Sequence, residues 1–288
     1  MIEARENQTG QLSLWDLYSF RDLPVELISQ IYQLFVENED SSVYTPPFLV
    51  RFLVEEALNW DALDHITSHN QVVLDPSCGS GVFLVEAYKR LVLHWRLRHQ
   101  WRRPDKHVLQ SLLAFVHGVD LEEDAVELAG FSLCLAMCDA LQPAQIRRSI
   151  KLFPNLRQQT LHHGCFFAAK EAGQLPARIG AVLGNPPFAS TLQTPATQRA
   201  YARYQTEHHK KLPDKQAGYL FLHEASEIME DGATISMLQQ YNFLYNQNAL
   251  AFRQQYLERY WVREILDFVS VRGLFQKGDA DTKVIVVV

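Results

Sequence analysis

The feature that most restricts the fold of this chain is the run Val72-Val73-Leu74-Asp75 followed at once by Pro76-Ser77-Cys78-Gly79-Ser80-Gly81 and a long apolar-periodic segment from Val82 to about Leu97. An apolar run ending in an acid reads as a buried strand, the glycine turn as a tight reversal, and the periodic segment as a helix. Strand, glycine turn and helix make the first half of a βαβ unit. Once that unit is granted, a parallel sheet covered by helices is the economical fold.

The rest of the chain repeats the alternation. Ala114 to Asp120 reads as a second strand, again ending in an acid and followed by a helical segment from Glu123 to Leu141. A weaker third strand is predicted around Thr160 to Gly164, and further strands at Ala181 to Gly184, Ala233 to Leu238, Ile265 to Phe268 and Lys283 to Val288. Strands alternating with helices imply a mostly parallel sheet with both faces covered. Leu27, Ile28, Ile31, Tyr32, Leu34 and Phe35 recur at helical spacing, so residues 1–43 read as an N-terminal helical segment. A second amphipathic run, Phe48 to Leu58, begins after Pro46-Pro47, where a helix tolerates proline best. The polar stretch Ser190 to Pro213 is long for a connection and reads as functional or mobile.

Composition excludes several classes. The chain has 288 residues, 47% of them hydrophobic, enough for a sizeable core. No uninterrupted apolar stretch reaches membrane-spanning length and the first residues lack a secretory pattern, so no membrane association and a cytoplasmic location are expected. The four cysteines are too few for a disulfide framework. Cys134 and Cys138 are spaced for a metal pair but read better as small core residues, and no metal is predicted. A net charge of -6 argues against a wholly basic nucleic-acid clamp. The richest basic segment, His94 to His107, interleaves five arginine or lysine residues with Trp95 and Trp101. It reads either as a local binding face or as a solvated helix end whose arginine stems cover the tryptophans.

Three segments carry chemistry. The turn Asp75, Pro76, Ser77, Cys78, Gly79, Ser80, Gly81 lets backbone N–H groups approach a ligand closely. Asp75 can accept from a cationic group such as an amino-acid ammonium, and Asp120 stands where a carboxylate accepts from ribose hydroxyls. A ligand with both ends is S-adenosylmethionine; each acid taken alone serves equally as a helix N-cap. Tyr44, Thr45 and Pro46 supply a hydroxyl and an aromatic ring at a helix entry, with Thr45 as either N-cap or ligand group. Asn185, Pro186, Pro187 and Phe188 combine an amide, a rigid turn and an aromatic ring at a strand's carboxyl end. The plain reading of that tetrapeptide is a proline-stiffened turn capped by Asn.

The order of TPPFLV, DPSCGSG, GVDLEEDAVELA and GNPPF resembles the gamma group of DNA adenine-N6 methyltransferases, which includes type I modification subunits and the methylase parts of fused type II restriction-modification enzymes. The resemblance covers Tyr44 to Val288 and extends to DGATISMLQQ and a final hairpin strand after Leu274-Phe275. It implies a Rossmann-like class I S-adenosylmethionine-dependent methyltransferase with a seven-stranded, mostly parallel sheet and an antiparallel last strand. It also implies that Tyr44 and Thr45 meet the methionine end of the cofactor, that Asp75 to Gly81 hold its body, that Asp120 binds ribose, and that Leu121 packs on the adenine ring. Asn185 and the Pro186 carbonyl would accept from the amino group of a flipped adenine, with Phe188 stacking on it. One position departs from the pattern: many relatives carry an Asp on the third-strand turn for the cofactor's adenine, and here Cys165 stands there. A thiol is a weak acceptor, which leaves Phe166 to stack instead, or Cys165 as a small buried residue.

The expected activity is methylation of adenine N6 in double-stranded DNA within a restriction-modification or phage-defence system. Residues 44–288 would form the catalytic domain, a fragment lacking its target-recognition domain, with recognition and endonuclease parts fused or separate. The competing readings are a methyltransferase acting on protein glutamine or an RNA base, and a cofactor-binding scaffold inactive without its recognition domain. A dinucleotide-dependent dehydrogenase would require G-x-G-x-x-G, which is absent.

Overall fold

A computed structural model describes residues 45–148, 153–157, 159–187, 192–209, 211–213, 216–240, 242–268 and 284–287. The N-terminal helical segment, Tyr44 and Phe188 lie outside the described residues. Five strands run parallel: β1 (Val72–Asp75), β2 (Val116–Asp120), β3 (Leu161–His163), β4 (Ile179–Gly184) and β5 (Met229–Gln240). Two more, β6 (Ile265–Asp267) and β7 (Val284–Val287), complete the sheet order β3-β2-β1-β4-β5-β7-β6. The mostly parallel sheet expected from the sequence is present. The continuous parallel body has five strands, and β6 reaches it only through β7, which runs antiparallel to both of its neighbours.

Strand residues alternate between two cores because successive side chains point to opposite faces. Val73, Ala181 and Leu183 face one cluster, whereas Leu74 and Val182 face the other. The first face is covered by α1 (Pro47–Ala57), α2 (Trp60–His69), α3 (Val82–Arg98), α4 (Lys106–Leu113) and α5 (Glu123–Asp139), followed by the short α6 (Pro143–Arg148). The second is covered by α7 (Phe166–Glu171), α8 (Pro195–His208), α9 (Ala217–Ser226), α10 (Asn242–Tyr245) and α11 (Leu250–Arg259). Each fully buried Leu, Val or Phe contributes about 1.5–3 kcal/mol, so both faces hold the sheet strongly. No helix among the described residues is long and apolar enough to cross a membrane.

Local chemistry explains the helix boundaries that matter for the site. Helix α1 begins with proline at its first turn, and Pro46 O accepts from Leu49 N and Val50 N at 2.9 and 3.1 Å. In α3 the N-cap is Gly81, at φ +83°, where an added Cβ would lie 2.9 Å from Ala129 Cβ. Only glycine lets the turn after β1 approach α5 this closely. The stretch Ser190 to Pro213, expected to be a long functional or mobile connection, contains α8, capped by Thr194, whose Oγ1 accepts from Thr197 N at 3.1 Å.

Candidate active site at the carboxyl edge of the sheet

Strand β1 lies between β2 and β4, so the chain reverses its direction of travel across the sheet at β1. Open α/β sheets bind ligands at that switch point, beyond the carboxyl ends of the strands. Three polar side chains stand there: Asp75 ends β1, Asp120 ends β2, and Asn185 follows β4 directly.

Asp75 is 1% exposed. Its Oδ1 accepts from Ser77 N at 3.0 Å, while Oδ2 is buried and makes no hydrogen bond among the described residues. Burial pushes its pKa up to about 8, the Ser77 amide opposing this and the neighbouring Asp120 charge adding to it. Gly184 makes room for this carboxylate, because a Cβ there would meet Asp75 Oδ1 at 2.8 Å. Asp75 is not an N-cap, since that position of α3 belongs to Gly81.

Asp120 secures the glycine turn. Its Oδ2 accepts from Gly79 N at 2.7 Å and its Oδ1 from Glu122 N at 3.0 Å. Burial raises its pKa and the backbone hydrogen bonds offset part of that rise. The space beside Gly79 is open, with nothing within 4 Å of where a Cβ would stand. Leu121, next in sequence, is 42% exposed. Pro76 is buried and Ser77 half-buried in the same turn.

Asn185 Nδ2 donates to Thr45 Oγ1 at 2.9 Å. This bond joins the entry of α1 to the end of β4, two segments 140 residues apart. Thr45 is therefore not an N-cap: the cap position is Pro46 and no side chain caps α1. Pro186 is buried and Pro187 half-buried, so the turn is rigid and packed. The Thr45 to Asn185 bond was not legible in the sequence, and neither was the pairing of Gly184 with Asp75; a glycine directly before Asn185 was the available hint of a close approach.

Other predicted site residues have structural tasks. Cys78 is 3% exposed and its Sγ lies 2.8 Å from where a Gly118 Cβ would be. Burial raises its thiol pKa well above the ordinary value, so it packs and does not meet a ligand as a thiolate. Cys165 Sγ lies 3.1 Å from Thr194 Oγ1, engaged with the start of α8. Phe166 is corrected from stacking group to core residue: it is 2% exposed and stacks on Phe221 at 5.6 Å. Cys134 and Cys138 are half-buried on α5, and burial pushes both thiols up, Cys134 to about 11.

The basic segment lies elsewhere. Helix α3 leaves the site at Gly81 and carries its last turn about 25 Å away, at 1.5 Å per residue. There Arg96 covers the Trp101 ring at 5.7 Å, and Arg98 pairs with Asp64, which also accepts from His94 at 2.7 Å. Asp64, His94 and Arg98 border a cavity of about 990 Å3 at the amino edge of the sheet, shared with His65, His107 and Phe115. It belongs to a different end of the molecule from Asp75, Asp120 and Asn185.

A parallel α/β sheet with acids ending two adjacent strands and an Asn-Pro-Pro turn ending a third defines a fold of the S-adenosylmethionine-dependent methyltransferase type. The sequence profile of N-6 DNA methylases matches residues 25–288, and the chain belongs to that family. It is 37% identical over 95 residues to the adenine-specific methyltransferase PglX of Streptomyces coelicolor, covering 32% of this chain and 7% of that protein. It is 31% identical over 114 residues to the type I restriction enzyme MjaVII methylase subunit of Methanocaldococcus jannaschii, covering 36% of this chain and 18% of that one. The structure superposes with a TM-score of 0.69 on a nuclease-deletion mutant of the type ISP restriction-modification enzyme LlaGI in complex with a DNA substrate mimic; identity is 14%, with 91% of this chain and 24% of that chain covered. The chain thus spans under a fifth of the length of these two sequence relatives.

Proposed function

We propose that this chain is the catalytic part of an adenine-N6 DNA methyltransferase that uses S-adenosylmethionine and serves a cytoplasmic restriction-modification or phage-defence system. The observation that carries the reading is the anchoring of Asn185 by Thr45 beside the buried carboxylate of Asp75. The residues fit the cofactor: Asp75 Oδ2 is buried without a hydrogen-bond partner among the described residues, as a carboxylate awaiting an ammonium would be. The open space at Gly79, the carboxylate of Asp120 and the exposed Leu121 suit the body, ribose and adenine of the same molecule. When bound, S-adenosylmethionine supplies an electrophilic methyl group on its sulfonium.

The remaining work falls to the protein. An exocyclic adenine amine is a weak nucleophile because its lone pair is delocalised into the ring. The Asn185 amide oxygen and the Pro186 carbonyl accept from its two hydrogens and so favour a tetrahedral nitrogen with a localised lone pair. The Thr45 bond to Asn185 Nδ2 fixes the amide plane before substrate arrives, which is preorganisation and not base catalysis. The base must leave the duplex to reach this edge, and Phe188 offers a ring to hold it. Target-recognition and endonuclease parts, fused or separate, would supply sequence choice and cleavage.

The test is methyl incorporation into duplex DNA, duplex RNA and protein from tritiated S-adenosylmethionine, with calorimetry of cofactor binding alongside. Asn185→Ala is expected to lower kcat by about 100-fold or more with cofactor binding retained. Near-normal turnover in that variant would refute the role of Asn185. Cofactor binding with no methylation of any DNA would support the inactive-scaffold reading instead.

A further inference from the structure

On the second face of the sheet, remote from Asn185, the last turn of α8 meets the middle of α9. Glu207 and His208 end α8, and His209, in the left-handed conformation at φ +52°, stops it there. His223 comes from α9. One ligating atom from each of Glu207, His208 and His223 lies within 4.8 Å of the other two.

His223 is the unusual member. It is 7% exposed and the most buried of the three. Its ring lies edge-on to Tyr204 at 4.9 Å and to His208 at 5.1 Å.

The nearby acid that could compete is already engaged. Glu224, 2% exposed, binds Lys170 and Arg203, the latter at 2.7 Å. Glu207, by contrast, is exposed and His208 half-buried, so both can adjust their side chains towards a shared ion. Two imidazoles and one carboxylate are the donor set of a borderline divalent transition metal; magnesium and calcium prefer oxygen ligands throughout.

We propose that Glu207, His208 and His223 form a zinc(II)-class site that clamps α8 to α9. Three protein ligands leave a fourth tetrahedral position for water on the exposed Glu207 side. The clamp ties down the far end of α8, whose near end, Thr194, engages Cys165.

The experiment uses the full chain stripped with chelator and then titrated with zinc(II) or cobalt(II) alone. We expect one metal ion per chain, a tetrahedral cobalt(II) absorption spectrum that zinc(II) displaces, and a higher thermal midpoint with metal bound. Glu207→Gln and His208→Ala sit at the surface and should fold, weaken zinc(II) binding by at least about tenfold each, and leave cofactor affinity unchanged. His223→Ala should abolish the cobalt(II) spectrum, and the two surface variants carry the test if it does not fold. Failure to bind zinc(II), or binding unchanged in the Glu207→Gln/His208→Ala double variant, overturns the proposal.

Discussion

The buried carboxyl of Asp75 predicts that cofactor binding is tied to pH. Its pKa is raised from 3.8 to about 8, chiefly by burial, so in the free protein at neutral pH it is mostly protonated. A carboxylate that receives an ammonium must be ionised, so binding at neutral pH expels a proton from Asp75. The ionised fraction is about one-hundredth at pH 6 and about one-tenth at pH 7. Affinity should therefore rise about tenfold over that interval, or about 1.4 kcal/mol. Calorimetric titration with S-adenosylmethionine in buffers of different ionisation enthalpy measures both quantities, and the release at pH 7 should be about 0.9 proton per site. Asp75→Asn removes the titrating group, and its affinity, though weaker, should be flat between pH 6 and 7. A flat wild-type profile, or an equal slope in the Asn variant, refutes the assignment of Asp75 to the ammonium. The same raised pKa has a sign for folding: its contribution to stability is complete below the unfolded value of 3.8 and is lost as pH climbs through about 8. The unliganded Asn variant should accordingly resist urea better than wild type at pH 8 and show no such advantage at pH 4.

Thr45→Val removes the acceptor for Asn185 Nδ2 while keeping the side-chain volume. We expect kcat to fall roughly tenfold, the worth of one hydrogen bond, with cofactor affinity nearly unchanged; equal losses in both would mean that Thr45 binds the cofactor instead of aligning the amide. Gly81→Ala places a Cβ 2.9 Å from Ala129 Cβ at a positive φ, so unfolding in urea should show a loss of about 1–3 kcal/mol. An unchanged midpoint would mean that the turn can move away from α5.

The first βαβ half was legible because its signals agree: the apolar run, the glycines and the periodic helix place β1 and α3 with little room for alternatives. Helix α8 was missed for a physical reason. Its buried residues, Ala196, Ala200 and Tyr204, form a narrow stripe of mostly small side chains in a polar sequence, and helical periodicity is weak when so few positions are apolar. Thr194-Pro195, an N-cap followed by a first-turn proline, was the signal that could have found it. Strand β5 was expected from Ala233 to Leu238, directly after the turn-forming pair Asp231-Gly232. Instead the strand begins at Met229 and carries an irregularity there, with Gly232 at φ +80° and the pairing register shifted against β4. At the site, strand ends located Asp75, Asp120 and Asn185. Side-chain partnerships across long separations, such as Asn185 with Thr45, leave no local pattern, and a residue such as Phe166 looks the same in sequence whether its ring faces a ligand or Phe221.

The position of β7 has a consequence for the order of assembly. Strand β6 precedes β7 along the chain, yet its hydrogen-bonded neighbour in the sheet is β7, which itself needs β5. During synthesis, β5 and the parallel body can pair as they emerge, but β6 leaves the ribosome with nowhere to dock. Until β7 follows, β5 presents an open row of backbone donors and acceptors to any passing strand. A stalled or clipped chain lacking β7 would thus keep its five-stranded body and lose β6 as well, although every residue of β6 had been made.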